Sequence, residues 1–332
     1  MALHRFASFV AACTLLLIVA GGAVTSTSSG LAVPDWPNTY GHFMFSFPID
    51  KMVGGIFYEH GHRLIASTVG FLTIVLAVWI WKVDPRRWMR RLGWLALAAV
   101  IAQGVLGGLT VLFFLPPPIS IAHAGLAEIF FCLTVCLAQF TAPGWKAGYR
   151  DAAAPPLAGV DDDILRKLSL VTLAAVYIQI LLGATMRHTG AGLAIPDFPL
   201  VFGGVVPGHW TWAIGIHYAH RVGAGIVSVL MIALAGHVWY HHPGRRELKR
   251  PANTMLFVLL LQITLGGLTV LSGRNVTINT SHVATGALLL ATTVVLTLRC
   301  HRVRFASDAT ASTAAGASAA WRADRSSAGA RA

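Results

Sequence analysis

Charge is what this chain of 332 residues has least of: 11% of its residues are charged and 55% are hydrophobic. That balance excludes an ordinary soluble domain and points to an integral membrane protein. Cysteine is scarce too. Cys13, Cys132, Cys136 and Cys300 are the four, and none falls in a segment expected to face outward, so no oxidised structural pair is indicated. Cys132 and Cys136 stand one helical turn apart, where a disulfide is geometrically poor, and read as small packing residues. The stretch 301–332 lacks large apolar side chains almost entirely. Its Ala, Ser, Thr, Gly and Arg cannot bury a core, so it is expected to be disordered.

What is abundant is long apolar runs. A bilayer-spanning helix needs roughly 20 mainly apolar residues. Eight such runs occur, near 7–24, 62–81, 92–114, 119–140, 165–186, 212–236, 253–272 and 280–298. The formal net charge of +12 invites a nucleic-acid partner, but the positions of the charges refuse one. Basic residues gather in alternate loops and at both ends: Arg86, Arg87, Arg90 and Arg91, then Lys146, Arg150, Arg166 and Lys167, then Arg245, Arg246, Lys249 and Arg250, then Arg299, Arg302 and Arg304. This is the positive-inside pattern of a multi-pass protein of the cell (inner) membrane with both termini cytoplasmic, and its charged partner is anionic membrane lipid.

The runs form a tandem duplication. Residues 165–199 restate residues 3–37, with Gly192-Leu193-Ala194-Ile195-Pro196-Asp197-Phe198-Pro199 echoing Gly30-Leu31-Ala32-Val33-Pro34-Asp35-Trp36-Pro37. The echo also makes the first run a member of its unit and not a cleaved signal peptide. The expected fold is therefore an all-α integral membrane protein, eight transmembrane helices arranged as two tandem four-helix bundles. Four spans per copy give both the same orientation, related by a parallel pseudo-two-fold axis. The boundaries expected are a first unit over 1–142, a cytoplasmic linker over 143–164, a second unit over 165–300 and the tail over 301–332.

Each copy keeps two histidines in apolar surroundings. His62 and His123 open the second and fourth spans; His220 and His282 open the sixth and eighth. All four stand at matched depth near the outer face. One such histidine alone reads as a packed polar residue. Four in matched register point to ligation, because intramembrane ionisable residues are costly. Two imidazoles from facing helices suit the two faces of a haem, whereas zinc prefers a tetrahedral set of four. Arg63 and Arg221 follow two of these histidines directly and are expected to face an anion such as a haem propionate. Gly107-Gly108 and Gly266-Gly267 allow a helix or a flat ligand to approach closely. The copies differ at one chemically important place: Glu59, three residues before His62, answers to His217. A carboxylate there can accept a proton or hold water beside a bound macrocycle. The asymmetry suggests one catalytic unit and one electron-transfer unit.

The ordered set of Gly30-Leu31, Pro34-Asp35-Trp36-Pro37 and Glu59-x-x-His62-Arg63, repeated over about residues 5 to 300, resembles the haem A synthase family. The resemblance implies oxidation of the C8 methyl of haem O to a formyl group, giving haem A for cytochrome oxidase. It implies that His62 and His123 flank the substrate haem, that His220 and His282 ligate a haem b, and that Glu59 is catalytic. A haem O synthase is an implied partner, beside an electron acceptor. Some members carry a cysteine pair in the first outward loop; residues 25–61 here contain none, so a disulfide relay is unsupported. The alternative is a non-catalytic dihaem b cytochrome, which needs no Glu/His asymmetry.

Overall fold

The computed structural model describes residues 1–147 and 162–328. The helices are α1 (Ala2–Ser26), α2 (Gly55–Val83), α3 (Arg87–Leu112), α4 (Pro117–Thr141), the short α5 (Pro143–Ala147), α6 (Asp163–His188), α7 (Trp212–His241), α8 (Arg246–Leu271) and α9 (Val276–Ala328). All but α5 contain a stretch long and apolar enough to cross a membrane, eight in all among the described residues. The helical form follows from the solvent: in hydrocarbon every backbone N–H and C=O must be satisfied within the segment. The linker expected over 143–164 begins as α5, and its residues 148–161 lie outside the described part.

Contacts close each run of four long helices into a ring. Helix α1 packs on α2, α2 on α3, α3 on α4 and α4 on α1; α6, α7, α8 and α9 repeat the circuit. The rings meet through α1 and α4 on one side and α6 and α9 on the other. Phe131 of α4 and Ala287 and Ala291 of α9 form the buried centre of that seam. At the end of that seam nearest the histidines, Arg187 of α6 donates to Gly22 O at 2.8 Å and to Ser26 Oγ at 3.1 Å on α1.

The cores are lopsided. In the first ring the buried apolar residues are Ala7 and Val10 at the start of α1, Leu76 and Ile80 late in α2, Met89 and Ala96 early in α3, and Phe130 and Leu137 in the later part of α4. Because neighbouring helices run antiparallel, these lie toward one end, that of the α1 start and the α2–α3 turn. The second ring does the same with Leu165, Leu234, Val238, Leu248, Met255 and Leu296. These clusters thus lie toward the end of each bundle opposite the histidines.

At the C-terminus the last helix extends past its membrane-spanning part, which ends at Arg302. Helix α9 runs without a break to Ala328, across the tail whose composition predicts disorder. The physical reason is propagation. Alanine is the best helix former, and extending an existing helix avoids the cost of nucleating one. Burying a core is not required for that.

Candidate functional site

The site begins in the long loops after α1 and α6. In the first, Asp35 accepts the amides of Tyr40 and Gly41 at 2.8 Å each. Tyr40 and Gly41 both have positive φ, 48° and 73°, the conformation of a tight hairpin turn that Gly adopts without cost. Asp197 repeats the device on Phe202 and Gly203 at 2.9 and 2.8 Å. The Gly203 and Phe202 amides hold the Asp197 carboxyl below its ordinary pKa.

Each loop is then tied to its bundle by the arginine after the histidine. Arg63 Nη1 donates to Asp35 O at 2.7 Å and Asn38 O at 3.0 Å, and its Nη2 to Val33 O at 2.9 Å. Arg221 makes the matching bonds to Asp197 O at 2.7 Å, Leu200 O at 2.8 Å and Ile195 O at 3.1 Å. Arg63 and Arg221 thus anchor loop carbonyls, and Arg63 also faces the Glu59 carboxylate. The sequence shows an arginine beside a histidine; it does not show that a folded loop presents three carbonyls to it.

Glu59 and His217 occupy the same place. Glu59 Oε2 accepts the Val33 amide at 2.8 Å, and His217 Nδ1 accepts the equivalent Ile195 amide at 3.3 Å. Both are almost fully buried, at 4% and 2% exposure. The difference lies in the other oxygen: Glu59 Oε1 pairs with Arg63 Nη2 at 2.7 Å. A carboxylate oxygen accepts more than one hydrogen bond, so both oxygens keep a lone pair for a proton or a water.

The four histidines share one environment. From the helix starts, they stand about 9 to 12 Å along their helices, at a rise of about 1.5 Å per residue. His62 and His123 are electrostatic neighbours, and so are His220 and His282. Each leans on a glycine of the adjacent helix. A Cβ at Gly21 would stand 3.1 Å from His62 Cε1, at Gly107 3.3 Å from His123, at Gly183 2.9 Å from His220 and at Gly266 3.0 Å from His282. Four residues before each glycine, the backbone of Leu17, Gln103, Gln179 and Gln262 lies beside the ring. At His62, His123 and His282 that approach falls short of a hydrogen bond, and the buried Nδ1 has no partner. A buried polar atom left unpaired costs about 1–3 kcal/mol. Three such atoms recur in three like settings, each beside the backbone of the adjacent helix.

The second glycine of each pair receives the loop. A Cβ at Gly108 would fall 2.5 Å from the Trp36 ring, and one at Gly267 2.7 Å from the Phe198 ring. So Gly107-Gly108 and Gly266-Gly267 each admit a histidine on one side and the aromatic of the Pro-Asp-aromatic-Pro motif on the other.

Comparison with known proteins agrees with this geometry. The profile of the family described as cytochrome oxidase assembly protein matches residues 4–294. The haem A synthase of Symbiobacterium thermophilum is 30% identical over 261 residues, covering 76% of this chain and 81% of that protein. The chain belongs to the haem A synthase family. The haem A synthase of Halalkalibacterium halodurans is 27% identical over 284 residues, 84% of this chain and 90% of the relative. That of Shouchella clausii is 30% identical over 222 residues, 66% of this chain and 70% of the relative. This haem A synthase family member is accordingly a multi-pass membrane enzyme of the oxidoreductase type acting on haem, in the assembly of cytochrome oxidase.

Sequence reasoning missed several residues. Gly21 and Gly183 are visible only when the two copies are aligned, since neither belongs to a motif legible within its own apolar run. Glu128 was also missed. It lies on α4, 5% exposed with Oε2 unpartnered, and the second copy has Ala287 in its place. Gly183→Val is expected to drive His220 out of its position and strip haem from the second unit. Haem absorbance per chain in the purified protein checks it; unchanged haem content would deny the glycine this role.

Proposed function

We propose that the chain oxidises the C8 methyl of haem O to a formyl group, with the first unit as reaction site and the second as holder of a resident haem b. The reading is carried by one observation: the same loop amide is met by a buried, arginine-paired carboxylate in one copy and by an imidazole in the other. His62 and His123 flank the substrate macrocycle, and His220 and His282 ligate the iron of haem b. The unpaired ring nitrogens and the glycine notches fit such a group. A bound haem b supplies one-electron chemistry at this membrane depth. Nucleic acid has no place in this reading, and a haem O synthase is the partner expected to deliver the substrate.

The conversion removes four electrons overall: a methyl group and one water give a formyl group, four protons and four electrons. An oxidant outside the chain takes the electrons. Glu59 accepts protons released at the methyl carbon or holds the water beside it, on the lone pairs left after the Val33 and Arg63 bonds. Arg63 acts through the loop: it draws Val33, Asp35 and Asn38 over the outer end of the bundle, and Trp36 closes against Gly108. Arg221 does the same over haem b. Such a cover keeps bulk water from the reacting carbon. The histidines then lie toward the outer face, with both termini cytoplasmic.

The glutamines support the division of labour. Gln103 Nε2 donates to His123 O at 3.0 Å, Gln179 Nε2 to His220 O at 2.7 Å, and Gln262 Nε2 approaches His282 Nε2 at 3.4 Å. The matching residue for His62 is Leu17, which offers no side-chain bond. Three histidines are held and one is left freer, on the side where substrate must enter and product leave. Leu17→Gln is expected to slow release of haem A by about tenfold, the scale on which outer-shell partners of metal ligands act. Single-turnover and steady-state rates of haem A appearance separate release from chemistry. The function itself is tested in membranes supplied with haem O, where the chain is expected to yield haem A. Haem O recovered unchanged beside correctly folded protein overturns the proposal.

A further inference from the structure

The inner end of the second unit carries a cluster that the haem sites do not use. Asp162 stands at the start of α6 and divides its carboxylate between two tasks. Oδ1 accepts the Leu165 amide at 2.8 Å and caps the helix. Oδ2 is met by two imidazoles, His237 Nε2 at 2.7 Å and His242 Nε2 at 2.9 Å. The three possible ligand atoms lie within 4.8 Å of one another.

The convergence depends on where α7 stops. His237 and His242 are five residues apart, which on a continuous helix would set them about 140° apart around the axis. Helix α7 ends at His241, and His242 takes φ −128° and ψ 51°. That break turns its ring back toward His237. His242 is 3% exposed, so its ring is committed to the interior. The His241 ring lies against His237 at a centroid distance of 4.4 Å and fixes its orientation. The Leu165 amide does the same for the carboxylate. First ligands oriented by such outer contacts are the usual build of a metal site.

We propose that Asp162, His237 and His242 bind one divalent transition-metal cation of the zinc type, with a fourth position left to water. Two neutral imidazole nitrogens and one carboxylate oxygen form a donor set suited to such an ion, at ligand distances of about 2.0–2.2 Å. The cation joins the first turn of α6 to the end of α7, where the chain enters the second unit. His237 is 17 residues beyond His220 on the same helix, on the order of 25 Å along the axis. The cluster is therefore separate from the haem ligands.

The test uses the full-length, haem-loaded protein in detergent, washed with chelator and titrated with Zn2+. Bound zinc per chain is counted by elemental mass spectrometry. The wild type is expected to hold one zinc more than His237→Ala/His242→Ala, and His209→Ala, at a histidine of the loop before α7, to hold as much as the wild type. Asp162→Asn keeps an acceptor for the Leu165 amide but loses the charge, and is expected to bind zinc about tenfold or more weakly. It carries the test alone if the double variant fails to retain its haem spectrum. Equal zinc in the wild type and Asp162→Asn across the titration, or none retained by the wild type, overturns the site and leaves a hydrogen-bonded helix junction only.

Discussion

Glu59→Gln is expected to cut haem A formation by about a hundredfold or more, the scale of a positioned acid or base, while haem b stays bound. The substitution is nearly isosteric. Its amide oxygen can still accept the Val33 amide, so the loop keeps that tie. What disappears is the negative charge and with it the ion pair to Arg63. Arg63 retains its bonds to Val33 O, Asp35 O and Asn38 O, which hold it in place. The variant therefore separates proton handling from loop closure. Glu59→Ala confounds them, because it also leaves the Val33 amide unpaired. Haem A and haem O in extracted pigments, with haem b as the internal measure of folding, check the outcome. Undiminished haem A in Glu59→Gln removes the carboxylate from the chemistry and leaves it a loop anchor like His217.

His282→Ala is expected to abolish stable haem b binding with little harm to the haem-free chain. The imidazole it removes makes no close hydrogen bond through its buried Nδ1, so little polar pairing is lost with it. What is lost is packing against Gly266. Haem binding, by contrast, stabilises the fold by mass action, about 4 kcal/mol at a thousandfold excess over Kd. The thermal shift between haem-loaded and haem-free wild type should thus vanish in the variant, while the haem-free melting points stay close. A variant that melts far below the haem-free wild type would make His282 a packing residue. The corresponding change His62→Ala should leave the haem b shift intact, since it touches the other bundle.

Much of this was readable from the residues, and the unreadable part has a physical cause. Eight apolar runs fix eight helices because a bilayer leaves the backbone no other way to satisfy itself. The repeat exposes His62, His123, His220 and His282 because duplication preserved them at like spacing. The carbonyl partners of the arginines, Asp35 O and Asp197 O among them, are not legible in the residues because they exist as a cluster only once the loop has folded. Gly21 and Gly183 gave no signal because a glycine in a membrane helix is common, and its meaning depends on the ring pressed against it. The C-terminal extension of α9 is not legible because a composition unable to build a core can still extend a helix already formed.

The account rests on two bundles with different work, and one paired measurement addresses that directly. Haem content and haem product are determined for purified His62→Ala/His123→Ala and His220→Ala/His282→Ala proteins from cells that supply haem O. The first is expected to retain one haem b per chain and make no haem A; the second is expected to lose haem b. Equal loss of haem from both, or haem A formed by the first, would contradict the division of labour between the two units.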